Sequence, residues 1–101
     1  MEFKESIRSK YADLVSSGDR YIETFKRKDA VGREADDAIL ARMAAGSDRE
    51  TAVADYYQTE RGKEVDAMCR IAVVDHAVAG VMYDRAYMTL RVQLAMGWEE
   101  S

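Results

Sequence analysis

The sequence contains no proline, one cysteine and one histidine. Because proline interrupts helix interiors, its absence leaves long continuous helices possible. The single cysteine, Cys69, excludes a disulfide within the chain, and its place among apolar residues favours a buried thiol in a cytoplasmic protein. The single histidine, His76, has no second metal ligand three or four residues away on a helix. We therefore expect neither a metal site nor a cofactor.

Long apolar runs and an excess of positive charge are also missing. No run reaches about eighteen apolar residues, the length that crosses a membrane, and the charged N-terminus lacks the apolar core of a secretion signal. The net charge of −4 provides no surplus of cations to neutralise a phosphate backbone. Residues 44–56 have a faint helix-turn-helix pattern, but the helix there carries Asp48, Glu50 and Asp55, which have the wrong sign for DNA. We expect no membrane partner and no nucleic acid partner.

The motifs of the common enzyme classes are absent as well. The sequence has no glycine-rich phosphate loop, no second histidine, no nucleophile elbow and no CxxC pair. We predict that the protein is not an enzyme.

The most informative segment is residues 63–96, which carry two apolar stripes. As one helix this segment is about 51 Å long. The first stripe has the steps of three and four that are typical of a helix face, and it consists of Val65, Cys69, Ala72, His76, Ala79, Tyr83, Ala86 and Leu90. Its alanines let a partner helix approach closely.

The second stripe has the same spacing and lies a third to a half of the way round the helix. Its members are Ile71, Val74, Val78, Val81, Arg85, Met88 and Val92. Since a chain this short has few residues to cover both sides, we expect residues 3–45 to pack along one stripe. The other stripe then contributes to a homo-oligomer, a dimer or a higher assembly.

The rest of the chain is also predicted to be helical. Residues 3–17 form an amphipathic helix that ends before Gly18, and Asp19 caps the next helix. Residues 20–45 form one helix or two. Ser47 and Glu50 form a capping box for a further helix, and Gly62 marks the boundary before the long segment. We predict an all-α fold, a single domain over residues 1–101 that is a compact bundle of about four helices.

Five residues of the long segment are candidates for an interface. His76 and Tyr83 lie in the first stripe, and Tyr87 supplies a large amphipathic side chain. Asp75 and Arg85 are charges among apolar neighbours, which we expect to be paired with each other across an oligomer interface or with the first two helices. The alternative is a polar ligand site lined by the same two residues.

A second kind of site is suggested by the only basic cluster of the sequence. Tyr11, Lys26 and Arg33 combine cations with an aromatic ring, as sites for phosphate and a stacked base do. Tyr11 and Lys26 on a helical chain resemble the tyrosine and lysine of phage-encoded sponges for cyclic oligonucleotides. The resemblance covers those two residues and the helical outline, and it implies a nucleotide-type ligand held between protomers.

These observations give three hypotheses for function. The first is a small helical regulator or inhibitor that binds a larger protein of unknown identity, as small acidic helical proteins of phages and mobile elements commonly do. The alternative is an oligomer that captures an anionic or nucleotide ligand through Tyr11, Lys26 and Arg33. The third is a purely structural subunit that assembles into large oligomers without another partner.

Overall fold

The computed structural model describes the backbone of residues 2–100 and the side chains of residues 4–97. Across this range the chain forms three helices and no strand: α1 is Glu2–Ala44, α2 is Arg49–Gln58 and α3 is Glu60–Glu100. The all-α prediction is therefore confirmed. The predicted number of about four helices is wrong.

The error in helix number lies in α1, which runs without a break through the predicted stop at Gly18 and the predicted cap at Asp19. Residues 20–45 are accordingly part of one helix through Ala44. Gly18 does not adopt the positive φ of a helix-ending glycine; within the described range only Gly46, with φ of 112°, does so. The missing side chain of Gly18 serves a helix contact instead, as described below.

The described chain divides into two compact units rather than one compact bundle. The first unit contains the described parts of residues 1–24 and 76–101, and the second contains residues 25–75. Each unit combines a segment of α1 with a segment of α3, and α2 belongs to the second unit. Whether the chain is a single domain stays a prediction.

The turn after α1 is fixed by backbone hydrogen bonds. The amide of Gly46 donates to the carbonyl of Met43 at 3.0 Å, and the amide of Ser47 donates to the carbonyl of Arg42 at 3.1 Å. This pair of bonds is the Schellman motif, which satisfies carbonyls at the helix end and requires the left-handed backbone of Gly46.

The cap of α2 lies one residue beyond the predicted capping box. Asp48, not Ser47, is the N-cap, and its carboxylate accepts from the amide of Thr51 at 2.8 Å. The Ser47 amide already donates to the Arg42 carbonyl, so it is not available to Glu50 for the second bond of a capping box. The hydrogen bond from Thr51 lowers the pKa of the Asp48 carboxyl group below its ordinary value.

Thr59 and Gly62 make the sharp junction between α2 and α3. The Thr59 hydroxyl donates to the carbonyl of Tyr56 at 2.6 Å and accepts from the amide of Gly62 at 2.9 Å. Thr59 thus ends α2 and caps α3 with one side chain. A Cβ atom on Gly62 would lie 1.9 Å from the Tyr56 carbonyl oxygen, so only glycine fits this position. The boundary predicted at Gly62 falls two residues inside α3, which begins at Glu60.

The core of the second unit joins all three helices. Ala35, Tyr56 and Val65 are buried together, and partly buried side chains pack round them, namely Val31, Ala38, Ile39 and Met68. The guanidinium of Arg42 lies over the Tyr56 ring, 5.4 Å from its centroid, in a cation–π arrangement.

A charged cluster adds a surface contact between α1 and α3 in the same unit. Arg61 donates to both carboxylate oxygens of Glu34, at 2.7 and 2.8 Å, and to Glu64 at 3.1 Å. The hydrogen bonds from Arg61 lower the pKa of the Glu34 carboxyl group. Because these side chains are exposed, the bidentate contact of Arg61 with Glu34 adds little to the free energy of unfolding. Its main effect is to fix the orientation of the two side chains relative to each other.

In the first unit, two tyrosines pack reciprocally on two glycines. A Cβ atom on Gly18 of α1 would lie 3.3 Å from the Tyr83 ring of α3, and a Cβ atom on Gly80 of α3 would lie 3.3 Å from the Tyr21 ring of α1. Each ring therefore lies directly against the backbone of the opposite helix. The two rings are stacked with centroids 6.0 Å apart.

The α2–α3 junction generates a prediction with a matched control. Gly62→Ala should lower the free energy of unfolding by about 2 kcal/mol or more, because its Cβ atom meets backbone that cannot move aside cheaply. Gly32→Ala, in open space within α1, should raise it by about 0.5–1 kcal/mol through the better helix propensity of alanine. Urea unfolding of both variants at one protein concentration measures the difference. Equal changes in the free energy of unfolding for Gly62→Ala and Gly32→Ala would contradict the close contact of Gly62 with the Tyr56 backbone.

Candidate association surface

The first stripe of α3 packs inside each unit. Val65 and Ala72 are buried in the second unit, and Ala79 and Leu90 are buried in the first. His76 and Tyr83, from the same stripe, contact Tyr21 of α1. The prediction that this stripe packs against another helix of the chain agrees with these contacts.

The second stripe lies on the opposite side of α3 and is exposed to solvent. Its apolar members have between 52% and 64% of their surface accessible, and they are Ile71 and Val74 in the second unit and Val78, Val81, Met88 and Val92 in the first. Single exposed apolar residues are ordinary on proteins, but a row at helical spacing is a feature of binding surfaces.

The first unit has a further row of exposed apolar residues on α1. Tyr11, Val15 and Ile22 are spaced by four and seven residues, so they share one side of the helix, and each has about half of its side chain exposed. Both helices of this unit therefore have an apolar side that the described chain leaves uncovered.

His76, a predicted interface residue, takes part in a polar contact within the first unit. The hydroxyl of Thr24, a residue that is only 4% exposed, donates to the carbonyl of Tyr21 at 3.0 Å and lies 3.1 Å from His76 Nδ1. Because the hydroxyl has only one proton, the Nδ1–H of His76 is the donor to Thr24. The His76 ring is also stacked on Tyr21, with centroids 4.5 Å apart.

The other predicted interface residues have different surroundings. Tyr83 is partly buried against Gly18 and Tyr21, whereas Tyr87 and Arg85 are exposed. Asp75 is partly buried in the second unit. Within residues 4–97 neither Asp75 nor Arg85 forms an ion pair. The assignment of all five residues to an interface between protomers stays a prediction.

The predicted ligand residues are exposed and belong to different units. Tyr11 lies in the first unit, and Lys26 and Arg33 lie in the second. Arg33 forms an i,i+4 ion pair with Asp29 at 3.0 Å. Neither unit by itself brings the three side chains together. The proposed ligand role of these residues stays a prediction.

Sequence reasoning did not identify the partnership of Thr24 with His76. The two residues are 52 positions apart, and a threonine between Glu23 and Phe25 gives no signal that it is buried. Gly18 and Gly80 were the available indication that α1 and α3 pack closely in this region, because a small residue opposite a tyrosine lets two helices approach.

Comparisons with protein-family models, curated proteins and solved structures give no match. Among the described residues, no helix has the length and apolar content needed to span a membrane. The same part of the chain contains no group of three His, Cys, Asp or Glu side chains arranged to hold a metal ion. The case for function therefore depends on the surface itself.

The buried contact of Thr24 with His76 generates a stability prediction. Thr24→Val keeps the shape of the side chain but removes the buried hydroxyl that contacts His76 Nδ1 and the Tyr21 carbonyl, so the free energy of unfolding should fall by about 1–2 kcal/mol. Thr89→Val is the matched control, because the Thr89 hydroxyl is exposed and donates only to the carbonyl of Arg85. Thermal unfolding should show a change within about 0.5 kcal/mol for the control. A neutral Thr24→Val would contradict the contact.

Proposed function

We propose that the protein is a non-enzymatic helical binding protein that acts through protein–protein association, with a second copy of itself as the first partner. The observation that carries the proposal is the exposed second stripe of α3. A second copy is the simplest occupant, because a two-fold dimer lets the same surface of each chain cover the other.

The energetics favour a reversible dimer. Val78, Val81, Met88 and Val92 are about half exposed, so covering each contributes about 1 kcal/mol. Two copies together then gain about 8 kcal/mol from these side chains, which is comparable with the cost of association, about 4–15 kcal/mol. The row of Tyr11, Val15 and Ile22 supplies additional apolar area in the same unit. We therefore expect the dimer to form in a concentration-dependent way.

The dimer is proposed to regulate or inhibit a larger protein in the cytoplasm. Exposed apolar side chains in the second unit, such as Leu40, Met43 and Tyr57, offer anchors for that partner. The net charge of −4 favours a partner with a basic surface, since opposite charges speed association and exclude wrong partners. The single half-buried thiol of Cys69 is compatible with a reducing compartment.

Mass measurement on a stripe variant tests the self-association. The double substitution Val81→Glu with Met88→Glu places two carboxylates on the second stripe, where pairing would have to desolvate them. Light scattering should give twice the 11.4 kDa chain mass for the wild type at high concentration and the single-chain mass for the variant. Because both positions are exposed in the chain, the variant should remain helical by circular dichroism.

Arg91→Glu is the matched control. It changes the net charge by the same amount as the double variant but lies on the polar side of α3, so it should leave the mass unchanged. A wild type that stays monomeric at every concentration would refute the self-association. If Arg91→Glu dissociates the dimer as readily as the double variant does, the added negative charge, and not the loss of apolar contacts on the second stripe, explains the dissociation.

A further inference from the structure

A surface cavity that is partly open to solvent lies between α1 and α3 in the first unit, and both apolar and polar side chains line it. Its volume is about 410 Å³, which falls within the usual range for small-molecule sites, about 300–1,000 Å³. α1 contributes Lys10 and Asp13, and α3 contributes Arg85. The cavity is distinct from the Tyr21, Thr24 and His76 contact and involves neither Lys26 nor Arg33.

Two cations, Lys10 and Arg85, and one carboxylate, Asp13, line the cavity. Lys10 and Arg85 come from different helices but line the same space, and within residues 4–97 neither forms an ion pair. Two such cations converging on one cavity make a site for an anion, and the planar guanidinium of Arg85 can bind two oxygens of a phosphate at once.

The remaining lining points to a ligand that also carries hydroxyl groups. Ser16 and Ser17 of α1 supply hydroxyls that can donate or accept, and the hydroxyl of Thr89 of α3, which donates to the Arg85 carbonyl, can accept. The Asp13 carboxylate can accept from a ligand hydroxyl but would repel a bare anion placed beside it. The cavity therefore offers two kinds of polar group: the cations of Lys10 and Arg85 can bind a phosphate, and the carboxylate of Asp13 can accept a hydrogen bond from a hydroxyl.

The apolar part of the lining fits the same class of molecule. Met82 and Ala86 present one apolar surface of α3 to the cavity. The carbon-bound hydrogens of a sugar ring or polyol chain can pack on such a surface while the hydroxyls face Asp13 and the serines. The volume leaves room for more than a phosphate group alone.

We propose that this cavity binds a small phosphorylated sugar or polyol, with Lys10 and Arg85 holding the phosphate and Asp13 accepting from a hydroxyl. One chain supplies all of the lining residues, so the cavity does not need a second copy to be complete. Arg85 is also the one charge within the second stripe, so Arg85→Gln changes the association surface as well as the cavity, whereas Lys10→Gln changes the cavity alone.

Calorimetric titration of the full chain with ribose 5-phosphate tests the proposal. Saturable binding with a dissociation constant of roughly 0.1–1 mM is expected, and it should weaken as salt screens the cations. Lys10→Gln and Arg85→Gln should each weaken binding about tenfold, the usual value of one charge-assisted hydrogen bond. Lys4→Gln, which removes an exposed lysine of α1 outside the cavity, should leave the affinity unchanged.

Four results would overturn the proposal. They are the absence of saturable binding, an equal loss with Lys4→Gln, equal affinity for unphosphorylated ribose, and equal affinity for inorganic phosphate. The first two exclude a site in the cavity, and the last two exclude the proposed ligand class. Lys10 lies on α1, away from the second stripe, so unchanged mass of Lys10→Gln by light scattering separates loss of the ligand from loss of self-association.

Discussion

The organisation of this protein depends on one imbalance: α3 has two apolar sides, and the chain covers only one of them. The first stripe is buried in each unit, while the second remains more than half exposed. Burial of apolar area is the main favourable term in both folding and association. The same physical effect therefore builds the units and leaves a surface for a partner.

Close packing on the covered side depends on small residues. The alanines of the first stripe and the glycines at 18 and 80 let α1 and α3 approach until Tyr21 and Tyr83 lie on the opposite backbones. At the α2–α3 junction, Gly62 serves a similar purpose against the Tyr56 carbonyl. Larger side chains at these positions would separate the helices and expose the aromatic rings, so the small residues determine which side of α3 is covered.

Patterns that repeat along the chain were predictable from sequence, and single contacts were not. The absence of proline and the two stripes were sufficient for the all-α fold and for the long helix over residues 63–96, although α3 begins earlier, at Glu60, and ends later, at Glu100. Local sequence patterns gave wrong predictions where packing between helices outweighed them. Gly18 resembles a helix-ending glycine, yet it lies inside α1, where the Tyr83 ring packs against its backbone. Ser47 and Asp48 are both good N-cap residues by type, and the structure uses Asp48, while the Ser47 amide donates to Arg42 at the end of α1. The cavity at Lys10 and Arg85 joins residues far apart in sequence, so no local pattern could show it.

The most direct test of the uncovered side is an isotope-filtered NOE experiment on a mixture of labelled and unlabelled chains, which reports only contacts between two copies. The account predicts intermolecular signals at the methyl groups of Val78, Val81 and Val92 and none at the buried Val65. Signals confined to other parts of the surface, or no intermolecular signals at high concentration, would contradict pairing through the second stripe.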